Sequence, residues 1–147
     1  MKIYFAAPLF SDFERALNLT ICQSLEQACT VFLPQRDGCL VREMIAQGMP
    51  PGLAARQAFE LDIKAIRHCD ILIAVLDGRA MDEGVCVELG FAKALGKRVI
   101  GFKSDSRCAL PWGNNPMIDG CVDAWASNVS ELVANVQLFA SRSPNAA

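Results

Sequence analysis

Asp70-Ile71-Leu72-Ile73-Ala74-Val75-Leu76 has no polar residue after its first position. A half-exposed strand alternates polar and apolar residues. An unbroken aliphatic run closed by Asp77-Gly78 instead reads as a strand buried on both faces, in the middle of a parallel sheet. Helical patterns flank it, from about Leu53 to His68 before and from about Glu83 to Leu95 after, with Gly96 as the expected stop. Helix, buried strand, helix is the order of a parallel α/β layer.

The same alternation continues outward in both directions. Lys2 to Ala7 reads as a first strand. Ser11 then opens a helix, with Glu14 three residues on as a capping box. Phe13, Leu17, Ile21 and Leu25 recur every four residues and are expected to form its buried face. Thr30 to Leu33 is a second strand, ended by Pro34. Residues 35–52 hold a turn at Gln35 to Gly38, a short helix at Val41 to Gln47 and the breaker Gly48-Met49-Pro50-Pro51-Gly52. So long an excursion in a compact domain is commonly a functional one.

Arg98 to Phe102 is the fourth strand and residues 103–120 a polar loop. Val122 to Trp125 is a short fifth strand, and Val129 to Ala140 a last helix capped by Ser127 or Asn128. Residues 1–140 are expected to form one domain and residues 141–147 a frayed tail. Five strands separated by helices predict a flavodoxin-like, doubly wound parallel sheet in the order 2-1-3-4-5, with helices on both faces. Ligands of such sheets bind beyond the carboxyl ends of the strands. Here that means the loops after Ala7, Leu76 and Phe102.

Composition removes several classes. Of 147 residues, 52% are hydrophobic and 20% charged, too apolar for a disordered chain and enough to suggest a subunit contact. A net charge of −2 leaves no basic excess for phosphate backbones, so no nucleic-acid partner is expected. The six-residue run Ile71 to Leu76 is the longest aliphatic stretch, whereas a bilayer span needs about 20. No membrane association is expected. Pro8 and Ser11-Asp12 interrupt the apolar start, unlike a signal peptide, so the cytoplasm is the expected location. Seven cysteines at irregular spacing, with no C-x-x-C, read as reduced thiols used as small core residues. With one histidine, His68, no metal site is expected. A G-x-G-x-x-G after the first strand, a P-loop and a G-x-S-x-G elbow are all missing, and no cofactor is expected.

The informative residues are acids that break the helix pattern. Glu88 has Gly84, Val85, Phe91 and Ala92 as its neighbours three and four residues away, none of them charged. Asp62 has Ala58, Phe59, Ala65 and Ile66. Burying a carboxylate among such groups costs several kcal/mol or raises its pKa. Two such acids point to a shared pocket. Glu88 at a helix rim, reaching water, is the plainer alternative, and Asp82 reads equally as the N-cap of the Glu83 helix. Paired carboxylates are the equipment of glycosyl chemistry: one attacks the anomeric carbon and the other handles the leaving-group proton.

Ile3-Tyr4-Phe5-Ala6-Ala7-Pro8-Leu9-Phe10, Asp62, Asp82-Glu83-Gly84 with Glu88-Leu89-Gly90-Phe91-Ala92, and Asn115-Pro116-Met117 together resemble the nucleoside 2-deoxyribosyltransferase family. The resemblance runs from residue 2 to about residue 120. It implies that Glu88 is a nucleophile forming a covalent deoxyribosyl-enzyme, and that Tyr4 orients it. It implies that Asp62 and Asp82 contact the nucleobase and manage its protonation. Asn115 and Met117 match a segment that reaches a neighbouring subunit's site. Further substrate contacts are expected from Ala6, Pro8 and Phe10 after the first strand, Asp77 and Gly78 after the central one, and Gly84. Ala7 and Val85 depart from the glycine and threonine common in the family.

The resulting expectation is a homo-oligomer (dimer, tetramer or hexamer) that exchanges the bases of 2-deoxynucleosides with free nucleobases by double displacement. Two alternatives stay open. A 2-deoxynucleoside 5-monophosphate N-glycosidase would need a phosphate cradle near the first loop, where Ser11 and Arg15 are the only candidates. A nucleotide-sensing module would bind without turnover.

Overall fold

A computed structural model describes residues 1–108, 110–111 and 113–141. The expected frayed tail falls, from residue 142 on, outside the described residues. The elements in chain order are β1 (Lys2–Ala6), α1 (Asp12–Leu25), β2 (Thr30–Phe32), α2 (Pro34–Asp37), α3 (Val41–Ala46), α4 (Pro51–His68), β3 (Ile71–Val75), α5 (Glu83–Ala94), β4 (Arg98–Phe102), α6 (Pro116–Asp119), β5 (Ala124–Ala126) and α7 (Val129–Ser141). All strand pairings are parallel and the order is β2-β1-β3-β4-β5. The flavodoxin-like sheet read from the sequence is therefore the one formed, with every residue of β3 buried.

Alternation along β1 decides what the site can contain. Ile3 and Phe5 face one side, where Ile21 and Leu25 of α1 and Leu132 and Val136 of α7 close the core. Tyr4 faces the other side, among Leu72, Val99, Ile66 of α4 and Leu89 of α5. The pleat sends successive side chains to opposite faces. Tyr4 therefore lies on the same side as the two helices that carry Asp62 and Glu88. The strand order reverses between β1 and β3, so their following loops part and leave a crevice.

The structure corrects the buried face of α1. Phe13 is 77% exposed and Leu17 is also exposed, while Asn18, Ile21, Cys22 and Leu25 are buried. Four residues advance a helix by more than one turn, so a strict four-residue series drifts by about 40° per step away from the core. Asn18 belongs to the true stripe. Its Nδ2 donates to the Pro8 carbonyl at 2.9 Å and to Gln35 Oε1 at 3.0 Å, tying the first loop to α2.

Smaller corrections have local causes. The expected turn at Gln35 to Gly38 is the short helix α2, begun by Pro34 at its first position. A proline likewise starts α4 two residues early, at Pro51. The loop of residues 103–120 contains α6, and β5 lies two residues later than expected. The Asp123 side chain takes the Val99 N–H at 2.8 Å before the strand begins. Of the seven cysteines, Cys22 and Cys69 are buried and the others are partly exposed. Among the described residues, no helix is long and apolar enough to cross a membrane.

Candidate active site

Three elements deliver the site. β1 contributes Tyr4, α4 contributes Asp62, and α5 contributes Glu88 and its N-cap Asp82. Tyr4 Oη donates to Glu88 Oε1 at 2.5 Å. A Phe32 ring stacks on Tyr4, with centroids 5.5 Å apart, and fixes the phenol beneath the carboxylate. Asp82 Oδ1 accepts the Val85 N–H at 2.8 Å, so it is the cap that the sequence allowed. Its carboxylate nevertheless lines the same depression as Glu88 and Asp62, about 170 Å³ in volume. Capping and facing the site are thus not exclusive.

Two hollows open from this depression. One of about 280 Å³ runs between α4 and α5, past Phe59, Ile63, Ile66 and Val87, and shares Asp62, Gly84 and Glu88. The other, about 380 Å³, lies under the excursion after β2 and has Asp62, Leu9 and Phe10 in its wall together with Arg15, Leu40 and Arg42. Asp62 is common to all three. A larger hollow of about 430 Å³ lies by Lys2, Thr30 and His68, away from this cluster. Both of its carboxylates, Glu26 and Asp37, are paired with Arg36, which leaves it poorly equipped for acid–base chemistry.

Burial sets the electrostatics. It pushes the Glu88 carboxyl up to about 7, against the Tyr4 hydrogen bond that favours the charged form; the charges of Asp62 and Asp82 add to the rise. Burial also pushes Asp62 up to about 6, again opposed by the Tyr4 hydroxyl. The Tyr4 hydroxyl is held firmly protonated by its own burial and by the neighbouring Glu88 and Asp62 charges. Around neutral pH the site therefore has a fixed donor, Tyr4, and two carboxyls balanced between acid and base. A carboxylate in equilibrium near working pH, oriented by a neutral phenol, is equipped for nucleophilic attack, and an adjacent protonated carboxyl for proton donation.

The remaining expected site residues divide. Phe10 and Gly84 line the depression. A Cβ at Gly84 would lie 3.1 Å from Asp82 Oδ1, so this glycine leaves room for the cap. Ala6 is not at the wall; it is fully buried in the sheet core. The Pro8 carbonyl is bound by Asn18. Asp77 and Gly78 knit the β3 and β4 loops together. Asp77 Oδ1 accepts the Ser104 N–H at 2.6 Å, and the Gly78 N–H donates to Asp105 Oδ2 at 2.9 Å. Asn115 Oδ1 caps α6 through the Met117 N–H at 2.9 Å, and Met117 is 76% exposed, away from this chain's own depression. Sequence reasoning did not single out Asn18 or Arg42. Asn18 carries the same signal as Asp62 and Glu88, a polar residue in a buried stripe. Arg42 lies in a stretch with no usable period.

A sequence profile of the family described as nucleoside 2-deoxyribosyltransferase matches residues 3–137. The chain belongs to that family. Similar solved structures agree with the fold. A Thermofilum pendens protein named for 2′-deoxynucleoside 5′-phosphate N-hydrolase activity is 32% identical over 101 residues, 68% of this chain and 66% of that protein. The match thus spans just under two thirds of that relative. A 2-deoxyribosyltransferase from Bacillus psychrosaccharolyticus has a TM-score of 0.72 at 25% identity, covering 90% of both chains. A conserved protein of Enterococcus faecalis V583 reaches 0.78 at 23% identity, covering 94% of this chain and 98% of its own, and shares the fold. The family is one named for the transfer of 2-deoxyribosyl groups.

Tyr4→Phe is a direct test of the pairing at the centre. The ring and its stacking on Phe32 remain, and only the hydroxyl is lost. kcat is expected to fall by about 10- to 100-fold, the scale of one charge-assisted hydrogen bond. The hydroxyl favours the Glu88 carboxylate, so its removal should raise the Glu88 pKa and move the acid limb of the pH–rate profile to higher pH. An unmoved acid limb would show that Tyr4 does not orient Glu88.

Proposed function

We propose that this chain transfers a 2-deoxyribosyl group from one nucleobase to another in two displacements. The observation that carries the reading is the half-buried Glu88 carboxylate held at 2.5 Å by the Tyr4 hydroxyl, with Asp62 beside it. Tyr4 occupies Oε1, which leaves Oε2 to attack C1′ of a 2′-deoxynucleoside. As the new C1′–O bond forms, the C1′–N bond breaks and its electron pair goes to the base. A proton from Asp62 or Asp82 neutralises the departing base. The second base attacks C1′ and loses its proton to the same acid, and Glu88 leaves as carboxylate. Two inversions give net retention. Without a 2′-hydroxyl to withdraw charge, the oxocarbenium-like transition state is more accessible, and the carboxylates around it stabilise the positive charge.

The first loop supports an uncharged nucleoside over a 5′-monophosphate. The backbone N–H groups of Phe10 and Ser11 both donate to Glu14 Oε2, at 3.1 and 2.8 Å. Arg15 is engaged by the Leu9 carbonyl and by Asp12. The first-loop groups a phosphate would need are thus already held by carboxylates and a carbonyl. The name of the Thermofilum relative favours the second reading, hydrolysis of a deoxynucleoside 5′-phosphate. A homo-oligomer in which Asn115 and Met117 approach a neighbour's site, working in the cytoplasm on small nucleosides and nucleobases, completes the proposal.

Incubation of 2′-deoxyguanosine with free hypoxanthine separates the readings. Transfer yields guanine and 2′-deoxyinosine. Without hypoxanthine, the peptide containing Glu88 should gain the mass of one deoxyribosyl unit. Free deoxyribose formed at a rate indifferent to hypoxanthine would establish the hydrolase instead, and unchanged substrate would leave only a binding module.

A further inference from the structure

The 380 Å³ hollow beneath the excursion is better equipped than its neighbour to receive the base. The hollow between α4 and α5 offers apolar side chains and the acids of the central depression, and two of its wall residues, Phe59 and Val87, are 61% and 64% exposed. The other combines apolar walls from Leu9, Phe10 and Leu40 with the arginines Arg15 and Arg42. An aromatic heterocycle needs both, apolar faces to lie against and polar groups at its edge. Asp62 belongs to this hollow and to the Glu88 depression, so it stands where base meets sugar. Arg42 belongs to the hollow alone. It projects from α3, and no ion pair or hydrogen bond engages its guanidinium among the described residues.

We propose that Arg42 reads the outer edge of the bound base and selects 6-oxopurines, hypoxanthine and guanine, over adenine. This rests on the reading of the central depression as a deoxynucleoside site. A guanidinium has only donors, arranged as a rigid fork. Its match is an edge with two adjacent acceptors, which O6 and N7 of a 6-oxopurine supply. Adenine presents an amino group in place of O6, so donor faces donor. Uracil and thymine offer one oxygen beside a carbon, and one prong of the fork goes unmatched. Asp62, at the inner end, is left to serve the side of the purine nearest the sugar. Arg15 in the same wall is already engaged, which leaves Arg42 as the arginine available to a ligand.

The experiment compares the wild-type protein with R42M and R42K. One reader is kcat/KM for 2′-deoxyinosine over 2′-deoxyadenosine. The other is calorimetric binding of free hypoxanthine and free adenine, which needs no turnover. The wild type should favour the 6-oxo compound in both. The R42M preference should fall by about 10- to 100-fold, the worth of one bidentate base contact, and R42K should recover only part of it. Arg42 is on the surface, so these variants should fold, and an unchanged melting temperature checks that. A wild type that prefers adenine, or an R42M preference changed by less than about tenfold, would overturn the assignment. So would a loss confined to 5′-monophosphates, which would put a phosphate against Arg42. Hypoxanthine bound through Arg42 without turnover of any deoxynucleoside would support base selection and overturn the enzymatic reading alone.

Discussion

Glu88→Ala is expected to lower kcat/KM by about three orders of magnitude with every deoxynucleoside tried, because in the proposed mechanism it removes the atom that bonds to C1′. Base binding should survive, since the hollow proposed for the base lacks Glu88 in its wall. The covalent deoxyribosyl adduct should disappear with the activity, and transfer kinetics, expected to be ping-pong in the wild type, should have no second half to report. The fold should not suffer. Glu88 is charged only against the cost of its burial, so its truncation relieves a strained ionisation. A melting temperature at or above that of wild type at pH 8, together with lost turnover, is the expected pair of results. Turnover within tenfold of wild type would remove Glu88 from the reaction. Intersecting double-reciprocal lines in the wild type, with no adduct, would mean that both bases bind together and that no covalent intermediate forms.

The sequence revealed this centre because the two acids violate a pattern that the rest of α4 and α5 obey. Glu88 and Asp62 lie among apolar helical neighbours, and the structure brings both to Tyr4 on one side of the sheet. The sheet itself was legible for a related reason. An aliphatic run with no polar alternation has few places to go other than the middle of a parallel sheet, and β3 is there with all five residues buried. What the sequence hid depends on the position of loops. Ala6, Asp77 and Gly78 stand beside strand ends in the chain, yet Ala6 turns into the core and Asp77 spends its carboxylate on Ser104 and Asp105. A strand end fixes where a site lies but not which of its residues face the crevice. The excursion of residues 35–52 was recognisable as unusual, but without a period nothing placed Arg42 in the same hollow as Asp62. The spacing of Phe13 and Leu17 misled for a simpler reason, since a run of fours drifts around a helix of about 3.6 residues per turn.

Asp62→Asn keeps the shape of the carboxyl and removes its proton. If Asp62 protonates the departing base, the variant should lose about 10²- to 10³-fold with 2′-deoxyinosine, within the range of general acid catalysis. The loss should be under tenfold with a purine made acidic by an electron-withdrawing substituent, which leaves as its anion. Equal losses for both would reduce Asp62 to a positioning group and transfer the proton role to Asp82. The pH profile offers an independent check. Glu88, at about 7, must be ionised to attack, so activity should fall as pH drops below that value. Asp62, at about 6, must be protonated to donate, so activity should also fall as pH rises above it. The acid ionises before the nucleophile does, hence the productive form is a minority at every pH and the wild-type profile is a narrow bell centred between 6 and 7. Asp62→Asn should erase the alkaline limb and keep the acid one. Along the acid limb, stability should move the opposite way to activity. Both folded pKa values lie above the ordinary 3.8 of Asp and 4.5 of Glu, so between about pH 4 and 7 the folded state holds more protons than the unfolded one. Stability therefore declines as pH rises through that window, and the full penalty is present above it. Asp62→Asn, with no charge to bury, should melt higher than wild type at pH 8 and no higher at pH 4. An acid limb and a melting curve that behave so, with the alkaline limb gone, would identify the same buried carboxyl as a cost to the fold and as the proton donor of the reaction.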